Sequence, residues 1–299
     1  MNNVLVSCII TTYRRKVDIL KRAIDSVLRQ TYKNIELIII NDCPEERKLC
    51  EEIQQLICTY NKKITYIVQP RNMGACMARN TGIQAASGDF VALLDDDDEW
   101  LPNKIEEQIN LFSREEIGLV YCDSIIRRKE KETVHHCVPK LHNAEVVEAL
   151  LYQNFIGGNS FPLIRKKAVI DAGMYDVEMK ALQDVDMWVR IAQNYECVYC
   201  KKPLVINHIS DVSITTVSAN RVAGFKRMVK KYEELYKKYP KTYHKRLLGI
   251  TGELLAVGRF SDAWEFYQRA LSLKVLSINN VLIPAKSLVL KVRRTILKH

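Results

Sequence analysis

The chain has no apolar run of about 18 residues, so no membrane-spanning helix organises it. Its N-terminus shows no basic region, apolar stretch and cleavage site in series, so no secretory signal peptide is expected. Nine cysteines (8, 43, 50, 58, 76, 122, 137, 197 and 200) follow no regular framework. Only Cys197-Val-Tyr-Cys200 has C-x-x-C spacing, and no second pair completes a zinc site. A reduced, cytoplasmic compartment is therefore expected. Neither G-x-G-x-x-G nor G-x-x-x-x-G-K-[ST] occurs, so a bound nucleotide would have to be gripped without a glycine-rich loop.

The composition is that of a folded protein, with 47% hydrophobic and 27% charged residues. A length of 299 residues allows one large domain or two smaller ones. The net charge of +10 is unevenly placed: residues 1–220 hold 27 Lys+Arg against 30 Asp+Glu, and residues 221–299 hold 18 against 5. This break sets the expected boundary between domains 1–220 and 221–299.

Up to Leu94, short apolar runs alternate with helical patterns. Val4–Thr12, Ile35–Ile40, Ile64–Val68 and Phe90–Leu94 read as strands. Val17–Gln30 repeats apolar residues at helical spacing, and Glu46–Thr59 and Asn72–Ala86 read as helices too. Strands and helices alternating at this spacing predict an α/β fold with a doubly wound, mostly parallel sheet.

The stretch from Val91 to Trp100 runs straight from apolar residues into Asp95, Asp96, Asp97, Asp98 and Glu99. A strand buried on both faces would deliver these acids to its carboxyl end, where open α/β sheets place ligands. Adjacent carboxylates repel, and a divalent ion carrying phosphates would resolve the conflict. A solvated acidic turn ahead of a helix near Pro102 is the plainer alternative. Asp42 falls just past the second strand, and Thr11 and Tyr13 at and just past the end of the first. Three strand ends thus converge polar groups on one sheet edge, although Asp42 could equally form an Asx-type turn with Pro44.

Residues 4 to about 215 resemble family 2 inverting glycosyltransferases of the GT-A fold. The matching pieces are Val6-Ser-Cys-Ile-Ile-Thr-Thr-Tyr-Arg-Arg15, Asn41-Asp42, Arg71-Asn-Met-Gly74, Ala78-Arg-Asn-Thr-Gly82 and Ser87-Gly-Asp-Phe90. They continue with Leu94-Asp-Asp-Asp-Asp-Glu-Trp100, Gly173-Met-Tyr-Asp176 and Leu182-Gln-Asp-Val-Asp-Met-Trp-Val-Arg190. Thr11 replaces the usual proline of the first motif, and Gln183 stands where many members carry Glu.

The resemblance implies a nucleotide-sugar donor, a UDP-sugar foremost, with Thr11, Tyr13, Asp42, Arg79, Asp95 and Asp96 around it. It implies Mn²⁺ or Mg²⁺ on a D-x-D element, Asp95 and Asp97, with His208 completing the metal site or steadying the diphosphate; Asp96 and Asp98 form an overlapping D-x-D. Asp184 resembles the general base, because an acceptor hydroxyl must lose its proton as it attacks. Its alternatives are a helix-start acid favoured by the dipole and, one turn-step on, Asp186 as the base. Gly158 and Asn159 fall where relatives shape the acceptor pocket. The implied acceptor is a glycan or a lipid-linked sugar in surface polysaccharide synthesis.

Residues 221–299 read differently. Val222–Tyr239 is a helix crowded with Lys and Tyr, and Leu247–Val257 with Ser261–Leu273 form a hairpin resembling one tetratricopeptide unit. Residues 281–298 read as a basic amphipathic helix, suited to the anionic inner face of the cytoplasmic membrane or to packing on the hairpin. No recognition motif supports nucleic-acid binding. A non-catalytic adaptor recruiting partners through this tail is the competing expectation. A sugar-nucleotide pyrophosphorylase is excluded, since Thr11-Thr-Tyr-Arg-Arg15 is not the glycine-rich basic loop such enzymes need.

Overall fold

The computed structural model describes residues 4–129, 131–137, 143–209 and 219–275, together with 277, 279, 280 and 282. The chain packs as two compact units. The first comprises residues 1–143, 155–177 and 186–212; the second comprises 144–154, 178–185 and 213–299.

The first unit is built on one nine-stranded sheet. Its opening half is β1 (Val6–Thr12), α1 (Val17–Leu28), β2 (Ile35–Asn41), α2 (Arg47–Cys58), β3 (Ile64–Val68), α3 (Ala75–Ala85) and β4 (Phe90–Asp95). Each strand and helix lies within two or three residues of its expected bounds. The helix expected from Asn72 begins only at Ala75, because Asn72–Gly74 form a loop with Gly74 at φ 85°. The four strands are parallel in the order β3-β2-β1-β4. Continuous burial of Val6–Ile10 and Phe90–Leu94 explains why these runs do not alternate.

Because parallel crossovers are right-handed, α1 and α2 lie on one face and α3 on the other. Accordingly α1 packs on α2, and α3 packs on β1 and β2. The strand order reverses between β1 and β4, which makes their carboxyl ends the switch point.

After β4 the chain turns within the acidic run and re-enters the sheet as β5 (Asp98–Trp100). Then follow α4 (Lys104–Ile109), β6 (Ile117–Arg128), β7 (Lys131–His135), β8 (Leu163–Arg165), α6 (Lys166–Asp171), α7 (Gln183–Ala192) and β9 (Glu196–His208), with α5 (Asn143–Tyr152) inserted before β8. β8 is antiparallel to β4 and β6, and β5 is antiparallel to β9, so the sheet is mixed but mostly parallel. Lys104 is fully buried beneath this half. Its Nζ donates to Gln108 Oε1 (2.7 Å) and lies 4.3 Å from the Trp100 ring centre. Gln108 Nε2 in turn donates to the carbonyls of Val120 and Phe161.

The second unit holds α5, the start of α7, α8 (Ala219–Lys231), α9 (Glu233–Lys238), α10 (Pro240–Ala256) and α11 (Phe260–Ser272). The single helix expected over Val222–Tyr239 is two, α8 and α9, separated at Tyr232. The hairpin is present, but its first helix starts at Pro240, which suits the first helical turn because it needs no N–H donor there. Tyr236 donates to the Leu151 carbonyl (2.8 Å) and stacks on Tyr243, which ties α9 to α5 and α10. The basic segment 281–298 falls, apart from Leu282, outside the described residues.

Candidate active site

Register assembles the site. Thr11 on β1 is the Cα partner of Asp95 on β4, and Thr12 is the partner of Asn41 on β2. The three carboxyl ends therefore lie side by side. They open on a cavity of about 380 Å³ lined by Thr11, Tyr13, Asp42, Arg79, Asp95, Asp96 and Asp97. Arg15 and Gly74 also line it. The six expected donor-binding residues and Asp97 thus share one cavity.

Asp42 does not form the Asx turn; Asn41 does, its Oδ1 accepting from Cys43 N (3.0 Å). The buried Asp42 carboxylate instead accepts from the N–H groups of Met73 and Gly74, each at 2.8 Å. A side chain at the end of β2 thereby shapes the loop that enters α3.

The acids are already held by arginines. Arg79 Nη2 donates to Asp95 (3.0 Å), while Arg15 donates from Nε to Asp96 (2.8 Å) and from Nη2 to Asp97 (3.0 Å). Arg79 is buried, and its Nη1 has no hydrogen-bond partner among the described residues. Such an orphan donor calls for an explanation, and a ligand oxygen is one. Burial pushes the Asp96 carboxyl up to about 6 despite the Arg15 charge beside it.

Asp98 sits deeper. It accepts from Ser160 Oγ (2.6 Å) and Asn207 Nδ2 (2.8 Å), and burial, reinforced by the Asp95 charge, pushes it up to about 7. Ser160 Oγ also accepts from Asp95 N (3.0 Å), and its carbonyl accepts from Trp100 Nε1 (2.9 Å). One serine thus pins the beginning and the end of the acidic run.

Tyr175 supports Arg79 from below. The Arg79 guanidinium lies 5.6 Å from its ring centre, its hydroxyl donates to Asn159 Oδ1 (2.7 Å), and its backbone exchanges two 2.8 Å bonds with the Asn80 side chain. Asn159 is therefore a buried prop, and neither it nor Gly158 lines the cavity.

His208 does not join the acids as a ligand trio. Its Nε2 lies 3.3 Å from Glu99 Oε2, and burial, with Arg22 nearby, holds its pKa below the usual range. Among the described residues no three His, Cys, Asp or Glu side chains gather as a ready-made metal cage. Asp95 and Asp97 nevertheless fit a divalent ion of the kind that uses one or two carboxylates and completes its shell with substrate phosphates. Both line the cavity, with side chains 34% and 45% exposed.

Asp184 belongs to the second unit, at the second position of α7. Its Oδ2 accepts from Asn154 Nδ2 (2.9 Å) and its Oδ1 from Val185 N (2.8 Å). It lines a separate cavity of about 480 Å³. Leu182, two residues earlier, holds φ 63°, a costly backbone for a leucine that concentrates at functional sites. Asp186 is a structural acid: it is fully buried and receives both Nε and Nη2 of Arg190. That removes it as an alternative base. Trp188 and Val189 are buried, with Trp188 Nε1 donating to the Gly157 carbonyl (3.0 Å).

Sequence reasoning named neither Arg15, Ser160 nor Tyr175 as site residues. Arg15 lies two residues past Tyr13 inside the first motif and Tyr175 inside Gly173–Asp176, which were the available signals; Ser160 closes the Gly157–Ser160 stretch that holds Gly158 and Asn159.

The model of glycosyl transferase family 2 matches residues 7–173. The glycosyl transferase WcaA of Escherichia coli (strain K12), named for colanic acid biosynthesis, is 30% identical over 251 residues, covering 81% of this chain and 86% of its own length. Among solved structures, Staphylococcus aureus TarS 1-349 in complex with UDP-GlcNAc has a TM-score of 0.67 at 15% identity, covering 97% of this chain and 91% of that one. Against another TarS structure the match covers 94% of this chain and 55% of that one. The mannosyltransferase PcManGT of Pyrobaculum calidifontis, in complex with GDP-Man and Mn²⁺, has a TM-score of 0.61 at 15% identity, covering 99% and 84%. At these identities the structures speak for the fold, which is GT-A-like, while the family model and WcaA speak for kinship. This chain belongs to glycosyl transferase family 2 and is a transferase enzyme.

Proposed function

We propose that the protein transfers a sugar from a UDP-sugar to a hydroxyl of a glycan or lipid-linked acceptor, inverting the anomeric centre, in the synthesis of a surface polysaccharide. The observation that carries this reading is the convergence of Thr11, Tyr13, Asp42, Arg79 and the acidic run on one cavity at the switch point. TarS holds UDP-GlcNAc and PcManGT holds GDP-Man, so a nucleoside-diphosphate sugar is the donor class carried over to this chain. UDP is carried over from TarS, and GDP, carried over from PcManGT, is the alternative base.

In this reading Thr11, Tyr13 and Asp42 border the base and ribose. Asp95 and Asp97 would hold Mn²⁺ or Mg²⁺, and Arg79 offers its orphan Nη1 to an oxygen of the donor. Such a cation, when bound, would supply Lewis-acid neutralisation of the leaving group's charge. Asp184, oriented by Asn154, takes the proton of the acceptor hydroxyl. The new oxygen–carbon bond forms as the bond to the diphosphate breaks, and the bonding pair leaves with the diphosphate. His208 serves through Glu99 rather than as a ligand of the cation. No helix among the described residues is long and apolar enough to cross a membrane. We place the enzyme in the cytoplasm, at the membrane face through its basic 281–298 segment, with no nucleic-acid partner.

The test is calorimetric titration of the full chain with UDP, GDP and their sugars, with Mn²⁺ and with chelator. Mn²⁺-dependent binding of UDP or a UDP-sugar is expected. A preference for GDP would overturn the choice of base, and no nucleotide binding by the folded chain would overturn the donor site.

A further inference from the structure

Helix α11 carries two apolar stripes where a helical hairpin uses one. Ala263, Phe266 and Ala270 are buried and face α10. Phe260, Trp264, Tyr267 and Leu271 repeat at helical spacing on the neighbouring side. Phe260, Trp264 and Leu271 are 49%, 58% and 43% exposed. The Tyr267 and Trp264 ring centres lie 5.7 Å apart, and the Tyr267 hydroxyl donates to the Asn280 carbonyl (2.9 Å). That bond brings the chain at Leu282, itself exposed, back beside the stripe. Among the described residues the other exposed large hydrophobics are scattered between Tyr13 and Val177, whereas these four fall together. Scattered apolar residues need no explanation, but a cluster marks a contact surface.

The charges around this surface are of one sign. The two acids of α11, Asp262 and Glu265, turn away and pair with Lys226 of α8 at 3.2 Å and 2.7 Å. The stripe is bordered instead by Ser261, Gln268 and Lys274. From Phe266 to His299 the chain holds seven Lys and Arg and no Asp or Glu. A second copy would set those cations against their own kind, so self-association on this face is opposed. An anionic surface is complementary. Trp and Tyr combine an apolar body with a polar tip, which suits the boundary between acyl chains and headgroups.

We propose that the Phe260–Trp264–Leu271 face of α11 seats in the surface of an anionic lipid bilayer, with the acid-free stretch 266–299 meeting its headgroups. This is the arrangement of an interfacial amphipathic helix, apolar face in the lipid and cations at its rim. The proposal deepens the membrane placement given above and rests on it for the partner. It adds that a described helix face, and not the 281–298 segment alone, enters the lipid.

The three tryptophans make the test specific. Trp100 and Trp188 are buried and Trp264 is exposed, so a change of emission on contact with lipid reports α11. The full chain is mixed with vesicles of phosphatidylcholine alone and with vesicles of equal parts phosphatidylcholine and phosphatidylglycerol, then read by co-sedimentation, emission and acrylamide quenching. Expected are binding at least about tenfold tighter to the anionic vesicles, a blue shift, and loss of quenching. Trp264→Ser should abolish the shift and weaken vesicle binding about tenfold, the worth of one apolar side chain leaving water. Leu271→Ser keeps the reporter and should reduce both shift and binding, and both variants should bind UDP like the parent. Co-sedimentation with Trp264 still open to quencher overturns the proposal and leaves the contact to the 281–298 segment. Equal binding to both vesicles, or a shift that grows with protein concentration without lipid, overturns it too, the latter in favour of a second copy. No vesicle binding overturns it together with the membrane placement, while UDP titration without vesicles reads the donor site separately.

Discussion

Asp184 accepts from Asn154 Nδ2 and from its neighbour's backbone N–H, which orient the carboxylate. Asp184→Asn keeps shape and removes the basic oxygen. Transfer should fall by about 10² to 10⁴, the usual worth of a general base, with UDP affinity unchanged; steady-state rates beside a binding isotherm measure both. Turnover like the parent's would dismiss it as the base. The meeting of Thr11, Tyr13 and the acidic run at one sheet edge was legible, because each follows directly on an apolar strand. Pairing was not legible where a partner lies far along the chain. The grip of Asp42 on Met73 and Gly74 spans 31 and 32 residues, and that of Arg15 on Asp96 and Asp97 spans 81 and 82. No local pattern encodes such pairs.

At the scale of elements, the turn between β4 and β5 depends on a residue outside both strands. Ser160→Ala would leave Asp98 short of one donor and the Asp95 N–H without its acceptor. Buried polar groups stranded this way cost about 1–3 kcal/mol each. Urea unfolding should show a loss of that order, accompanied by weaker Mn²⁺-dependent UDP binding. Stability loss with undiminished nucleotide binding would mean that the pin serves the fold alone. The strands β1–β4 were readable because each is a continuous apolar run ended by polar residues. The strands β5 and β8 are three residues long and carry no period. β9 mixes Cys, Lys and Pro and shifts register against β6, so neither alternation nor a run marks it.

For the molecule as a whole, composition showed the charge step at residue 220, but segments 144–154 and 178–185 join the second unit through packing that charge does not register. One buried charge makes overall stability depend on pH. Burial pulls Lys104 down to about 8 from its ordinary 10.5. Between those values the unfolded chain holds a proton that the folded chain lacks, so stability rises with pH there, and the penalty is fully present below pH 8. Lys104→Met should therefore gain most on the parent below pH 8, with the gap closing towards pH 10.5 in paired unfolding curves. A gap independent of pH would mean that Lys104 is not the titrating group. The arginines gripping Asp95, Asp96 and Asp97 carry a consequence for the enzyme in a cell. They act as resident counter-ions, so the acidic run is not a standing trap for free divalent metal, and the proposed cation would have to exchange with them. Mn²⁺ added alone should bind weakly, and whatever factor UDP lends to Mn²⁺ must equal the factor Mn²⁺ lends to UDP. On the proposed reading, metal loading would follow the supply of nucleotide sugar, and the enzyme would be charged for transfer only when there is something to transfer.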